Sequence, residues 1–295
     1  MGLVHSFSLG TLRCHALEAG IQKLDGGAMF GVVPKPLWER RIQPDARNRI
    51  ALAMRCLLVE HSHGLVLIDS GLGNKEDPKF REIYGVENEG PDGRSRLEAA
   101  LQQAGYRPED ITWVINTHLH FDHAGGNTYR DDAGVVRVSF PSATYLVQAG
   151  DLEFARKANE RTRASYLPHN YEPVAEAGKL ELLSGDGEVL PGISVRLVPG
   201  HVPFLQGVLL ESQGETLFYL ADLVPTRHHL PLPWIMGYDV EPLRTLESKR
   251  GVLRAALTGQ WWLFFEHDPD LVMTRLKGSE ATPELAESVA APSSA

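Results

Sequence analysis

Cysteine is nearly absent: the 295 residues contain two, Cys14 and Cys56. No C-x-x-C pair exists, which excludes a thiolate zinc site. Both cysteines sit in apolar, strand-like surroundings, so buried thiols are expected rather than a disulfide. Long apolar runs are also missing. None approaches the roughly 20 residues that cross a bilayer, and the N-terminus lacks a basic segment followed by an apolar one. No membrane contact and a cytoplasmic location are therefore expected. Positive charge is in deficit, 29 Lys and Arg against 38 Asp and Glu, giving a net charge of −9. Nucleic-acid phosphates would be repelled by that balance, so no nucleic-acid partner is expected. What is present is ordinary for a globular chain: 43% hydrophobic and 23% charged residues. A core of useful size can form without a disulfide or metal to hold it.

The N-terminal half reads as strands. Leu12 to Leu17 alternates weakly, and Leu52 to Glu60 and Gly64 to Asp69 are apolar runs split by a hairpin-like polar break. The second run enters a turn-rich loop, Asp69-Ser70-Gly71-Leu72-Gly73. Leu97, Ala100, Leu101 and Ala104 mark a helix from Arg94 to Ala104, ended by Gly105. Ile111 to Asn116 is a short buried strand.

Further on, strands are expected at Ala143 to Val147, Ser194 to Val198, Gly207 to Glu211, Thr216 to Ala221, Gln260 to Glu266 and Leu271 to Leu276. A helix is expected at Asp151 to Ala158 and a polar loop at Arg161 to Pro173. Glu241-Pro242 opens a helix to about Leu257, with Leu243, Leu246, Leu253 and Leu257 on one face. Residues 278–295 are small and polar and read as a flexible tail. No linker rich in Pro, Gly or Ser separates the halves. The expected fold is α/β, an αββα sandwich with two mixed β-sheets packed face to face and helices outside.

Chemistry concentrates in one run, His118-Leu119-His120-Phe121-Asp122-His123. In an extended segment, side chains at i and i+2 point the same way, so His118 and His120 can chelate one ion. A turn after Phe121 would let Asp122 and His123 face a second. Ala124-Gly125-Gly126 leaves room for the backbone to curl behind them. Imidazole and carboxylate suit zinc and related divalent metals. Three more metal-capable residues stand just past apolar strands: His201 after Pro199-Gly200, Asp222 after Tyr219-Leu220-Ala221, and His267 after Phe265-Glu266.

The order H-x-H-x-D-H, then His, Asp and His, resembles the metallo-β-lactamase fold superfamily, from Asp69-Ser70-Gly71 to His267. The resemblance implies a single metallo-β-lactamase-like domain over residues 1–277. It implies that His118, His120 and His201 hold one metal, that Asp122, His123 and His267 hold the other, and that Asp222 bridges them. Asp69 would orient a ligand imidazole. The cofactors would be two divalent ions, zinc first, with Fe, Mn or Co also compatible. A water between the ions would lose its proton near neutral pH and act as a bridging hydroxide. Asp122 is a candidate proton relay.

Several branches of that superfamily do not match. The commonest class B β-lactamases have a cysteine at the position of Asp222. Glyoxalase II-type thioesterases carry a helical C-terminal extension. The diiron oxidoreductases have Glu in place of the second histidine, and the nucleases carry an inserted domain and a basic surface. The stretch HLHFDHAGG, with Gly26 to Lys35, Pro233 to Met236 and Tyr238-Asp239, is similar to N-acyl homoserine lactonases and methyl parathion hydrolase-like enzymes. That similarity implies a small-molecule substrate and a quorum-quenching lactonase or esterase. Organophosphate triester hydrolysis, thioester hydrolysis and non-catalytic metal binding are the alternatives.

Met29, Phe30, Trp234 and Met236 could line an apolar pocket or pack as core. Such lactonases place a tyrosine soon after the bridging aspartate; Leu223-Val224-Pro225 has none, so Tyr238, His228 or His229 is a candidate to assist the substrate carbonyl. His228-His229 reads otherwise as an exposed loop pair. The segment from Val32 to Leu37 could support a homodimer contact.

Overall fold

Strand-forming runs with two apolar faces dominate the chain, and they assemble into two large sheets. The computed structural model describes residues 2–91 and 95–292. Arg94, the first residue of the expected helix, and the last three residues of the expected tail lie outside them. Residues 2–20 with 54–185 form one compact unit, and 21–53 with 186–292 a second. The chain leaves the first unit within a strand, returns within the next, and leaves again after residue 185.

One seven-stranded sheet contains β1 (Val4–Leu9), β2 (Leu12–Asp25), β3 (Arg49–His61), β4 (Gly64–Ile68), β5 (Ile111–Ile115), β8 (Thr144–Gln148) and β9 (Leu180–Leu183), in that order. Strands β6 (Thr128–Arg130) and β7 (Val136–Val138) make a separate small pair. β1 and β2 pair antiparallel, as do β3 and β4, while the pairs β4–β5, β5–β8 and β8–β9 are parallel. The expected hairpin at His61 to Gly64 is present, with those two residues opposite each other. Eight consecutive residues of β3, Leu52 to Val59, are buried, and this explains an apolar run interrupted there only by Arg55. Met54, Cys56 and Leu58 join Leu67, Leu97, Leu101, Ile111, Val114, Phe121 and Tyr145 in the core of this unit. Arg55, on the other face, is buried and bonded to Glu18 at 2.6 Å. Helix Arg96–Ala104 covers that core with Leu97, Ala100 and Leu101. Ser95 caps its start, and Gly105, at φ +93°, ends it as expected. Cys14 and Cys56 are both buried free thiols.

The second seven-stranded sheet runs β10 (Gly187–Leu190), β11 (Ile193–Leu197), β12 (Gln206–Ser212), β13 (Glu215–Tyr219), β14 (Trp262–Phe264), β15 (Leu271–Gly278) and β16 (Pro283–Ala290). It is also mixed, because β13 and β14 are parallel while the other pairs are antiparallel. The architecture is thus α/β with two large mixed sheets. The flexible-tail expectation is corrected over 283–290, which pairs antiparallel with β15. Six of these eight residues are exposed, so ladder hydrogen bonds hold the strand without an apolar face that sequence could reveal. Pro283 stands at its first position and Glu284 and Glu287 line it, as suits a sheet edge. No helix among the described residues is long and apolar enough to cross a membrane.

Helix Pro242–Gly259 begins at the expected Glu241-Pro242. Its buried stripe is Thr245, Lys249, Leu253 and Ala256, whereas Leu243 is 79% exposed. The expected leucine face is therefore corrected: two polar residues occupy the inner positions, and their partners explain why.

Candidate metal centre

In the first unit, β5 delivers the chain to Thr117 and His118. His120 starts the short helix Phe121–Ala124, which carries Asp122 and His123. The rings of His118 and His120 lie 4.5 Å apart and those of His118 and His123 4.0 Å apart. His118 and His120 offer ligand atoms within 4.8 Å of each other, and so do Asp122 and His123. All four residues are buried. The turn after Phe121 expected from the sequence is this helical turn.

The tight curl behind it has a visible cause. Ser70 N–H donates to the His123 carbonyl at 2.7 Å, and Gly126 N–H donates to that of Gly71 at 2.9 Å. A Cβ on Gly126 would collide with the Ser70 carbonyl, and one on Gly125 with the Leu72 backbone. The buried Lys75 ammonium donates to the carbonyls of Gly125 and Thr128.

Asp69 has the expected orienting position. Its carboxylate accepts from Thr117 N–H and Oγ–H, both at 2.7 Å, and lies 3.0 Å from His123 Nδ1. Asp69 itself adopts φ +55°, an uncommon conformation for a non-glycine residue that aims its side chain back at the loop. Two supports escaped the sequence reading. Asp151 accepts from the backbone N–H of Leu119 at 2.8 Å, between the two histidines, and Tyr166 donates to Asp151 at 3.0 Å. Tyr166 also packs edge-on against His120. It lies in the segment read as a polar loop, and only its aromatic character distinguished it there.

In the second unit, His201 follows β11, Asp222 follows β13 and His267 follows β14. Gly200 precedes His201 at φ +145° and abuts the Thr245 backbone, so no side chain fits there. Asp222 lies between the two histidines. One carboxylate oxygen is 3.0 Å from His201 Nε2 and the other 3.1 Å from His267 Nε2. Two atoms bound at about 2.0–2.1 Å to one ion lie roughly 3–3.4 Å apart, so both spacings match shared coordination.

The outer nitrogens are already engaged. His267 Nδ1 donates to the Ala53 carbonyl at 2.7 Å, and His201 Nδ1 to Asp239 at 2.9 Å. A carbonyl only accepts, so Nδ1 of His267 carries the proton and Nε2 turns a lone pair toward a carboxylate oxygen. A proton or a cation must stand between them. Burial opposes a charged His201, but Asp222 and Asp239 outweigh it and push its pKa up to about 10. The donor set therefore fits divalent metal, with orienting groups in place behind three ligands.

The family model of the metallo-β-lactamase superfamily matches residues 53–267. The chain belongs to this superfamily. An N-acyl homoserine lactonase from Bacillus cereus is 28% identical over 246 residues, covering 80% of this chain and 88% of that one. A "probable metallo-hydrolase" from Mycobacterium tuberculosis is 27% identical over 273 residues, covering 83% of each. A solved structure described as "a probable metal-dependent hydrolase" from Staphylococcus aureus is 32% identical. It has a TM-score of 0.84 and covers 96% of this chain and 100% of that one. AidC, "a dizinc quorum-quenching lactonase", superposes with a TM-score of 0.78 at 22% identity, covering 97% and 98%, and shares the fold. The homologues and structural neighbours of this metallo-β-lactamase superfamily member are metal-dependent hydrolases, lactonases among them.

The residues expected to serve the substrate are placed as follows. The expected exposed pair His228-His229 is corrected, since His229 is buried. Its Nε2 donates to the Met29 carbonyl at 2.8 Å, its Nδ1 meets Thr226 Oγ at 2.8 Å, and its ring stacks on Phe30 with centroids 4.6 Å apart. Burial pushes its pKa down to about 3, and that of His228 down to about 4. Met29, Phe30 and Met236 are buried with Trp38, Ile50 and Leu52, and Trp234 is half-buried against them. Packing is therefore the role of the first three. Tyr238 is 41% exposed and immediately precedes Asp239.

Proposed function

We propose that the two half-sites act as one dinuclear centre within a single functional domain, residues 1–277 together with the strand Pro283–Ala290 that pairs with β15. His118, His120 and His201 hold one ion; Asp122, His123 and His267 hold the other; Asp222 bridges. The observation that carries this reading is Asp222, with one oxygen turned to each of His201 and His267 at 3.0 and 3.1 Å. Family membership supports the pairing of this half-site with the H-x-H-x-D-H half. Two bound divalent ions, zinc first among them, would lower the pKa of water and polarise a carbonyl oxygen.

The reaction proposed is hydrolysis of a lactone of the acyl-homoserine type, or of an ester. It rests on the lactonase relatives. Asp122 would accept the proton released as water attacks and pass it to the leaving oxygen. Tyr238 would donate to the substrate carbonyl, since both nitrogens of His229 are committed elsewhere. Val32 is 92% exposed and Leu37 half-exposed, which supports a homodimer contact at that segment.

A substrate panel tests the reading: acyl-homoserine lactones of several chain lengths, aryl esters, paraoxon-like triesters and a thioester. Lactones should be preferred over triesters by more than about a hundredfold in kcat/KM, roughly 2.7 kcal/mol in the transition state. Equal or greater triester turnover would reject it.

A further inference from the structure

Lys249 occupies an inner position of helix Pro242–Gly259 where spacing calls for an apolar side chain, and it is fully buried. Its Nζ reaches four backbone carbonyls of one short segment: His229 at 2.6 Å, Pro231 at 2.8 Å, Trp234 at 2.9 Å and Leu232 at 3.3 Å. An ammonium has three N–H groups, so at least one is shared between two oxygens. Burying an ammonium is costly unless its protons are satisfied, and a cage of carbonyls does that. The cage is served by the lysine in turn: the Pro231 carbonyl also accepts from Trp234 N–H at 2.9 Å, and the ammonium is the donor that reaches the carbonyls of His229, Leu232 and Trp234 together with it. Pro231 and Pro233 lie within it and have no N–H to offer in exchange.

The caged segment is the middle of a strap, 225–239, whose two ends meet the two histidines that flank Asp222. At one end the Pro225 carbonyl accepts from His267 N–H at 3.2 Å. At the other, Asp239 holds His201 Nδ1, and Val240 N–H donates to the His201 carbonyl at 3.1 Å. The same helix face completes the support: Thr245 donates to Asp239 at 2.6 Å, and Ser248 to the Pro199 carbonyl at 2.8 Å. Trp234 and Tyr238 ride on the strap.

We propose that Lys249 is a positioning residue whose ammonium, held by the carbonyls of residues 229, 231, 232 and 234, fixes the strap that sets His201, Trp234 and Tyr238. Its consequence for substrate rests on the lactone reading above; its consequence for the strap does not.

The test compares wild type with Lys249→Met, which keeps the stem but not the donors, and with Lys249→Ala. Backbone deuterium exchange is read by peptide in the metal-free and zinc-loaded proteins. In Lys249→Met, exchange over 229–237 should rise about tenfold or more while β3 and β12 stay within about twofold. KM for a long-chain acyl-homoserine lactone should rise about tenfold with kcat within about threefold. n-Propylammonium, which replaces the atoms deleted in Lys249→Ala, should restore slow exchange where sodium at equal ionic strength does not.

Unchanged exchange over 229–237, a rise spread evenly over the molecule, or no difference between propylammonium and sodium would each overturn the proposal. If Lys249→Ala folds only with propylammonium present, the proposal stands; if it folds with neither, the proposal fails. Absence of lactone turnover in wild type would reject the lactone reading alone, because exchange and rescue still decide the role of Lys249.

Discussion

Replacing Asp239 by alanine should weaken one metal ion and spare the other. The carboxylate is buried, accepts from His201 Nδ1 at 2.9 Å with one oxygen, and is itself held by Thr245 at 2.6 Å on the other. It fixes both the tautomer and the ring orientation that present Nε2 to the ion. Partners of this kind are typically worth about 10–100-fold in metal affinity, ~1.4–2.7 kcal/mol. Asp239→Asn keeps an oxygen that can accept from Nδ1 and loses the charge, so a smaller loss of about three- to tenfold is expected. Thr245→Val, which only loosens the carboxylate, should lose about threefold or less. Competition against a chromophoric chelator, with the two binding steps resolved, measures all three. The orienting role is refuted if Asp239→Ala binds both ions within about twofold of wild type. It is also refuted if the asparagine variant loses as much as the alanine one.

His229→Ala removes a stacked ring and two hydrogen bonds in the second unit, and should destabilise by about 3 kcal/mol in denaturant melts; a change under about 1 kcal/mol would contradict its assigned packing role. With zinc in excess, so that the weaker amide oxygen of Asp122→Asn still ligates, the variant should carry close to two metals per chain while kcat falls about a hundredfold or more. Metal loss in step with activity would make Asp122 a ligand without a proton-transfer role. In chelator-stripped protein, His201 with its pKa near 10 keeps a proton that the unfolded chain loses near pH 6.5. Its stabilising contribution is full below about 6.5 and is lost as pH rises through about 10. Zinc uptake at pH 8 should therefore release at least about one proton per chain, detectable with an indicator dye; no release would contradict the raised pKa.

The residues proposed as ligands each have a local signature in the sequence. Four sit in one run after a buried strand, and His201, Asp222 and His267 each terminate an apolar strand. The orienting role of Asp69 was implied by the family resemblance of the Asp69-Ser70-Gly71 turn after β4. Asp239, Asp151 and Tyr166 were not legible, because their roles depend on contacts 38, 32 and 15 residues away in sequence, and no local pattern marks a residue that bonds at such range. His229 misled for the opposite reason. Two adjacent histidines carry no periodicity, so nothing in the run reveals that one is enclosed by Phe30, Met29 and Thr226. Lys249 broke the helical stripe, and the strand Pro283–Ala290 was hidden because most of its side chains face solvent.

The central reading is that two metal ions, held as assigned, make this chain a lactone hydrolase. Stepwise zinc titration of chelator-stripped protein, with ring opening of an acyl-homoserine lactone followed by proton release, tests it most directly. Activity should be negligible without metal, rise with bound zinc and reach its plateau near two ions per chain. Full metal binding with no lactone or ester turnover, or a plateau at one ion, would contradict it.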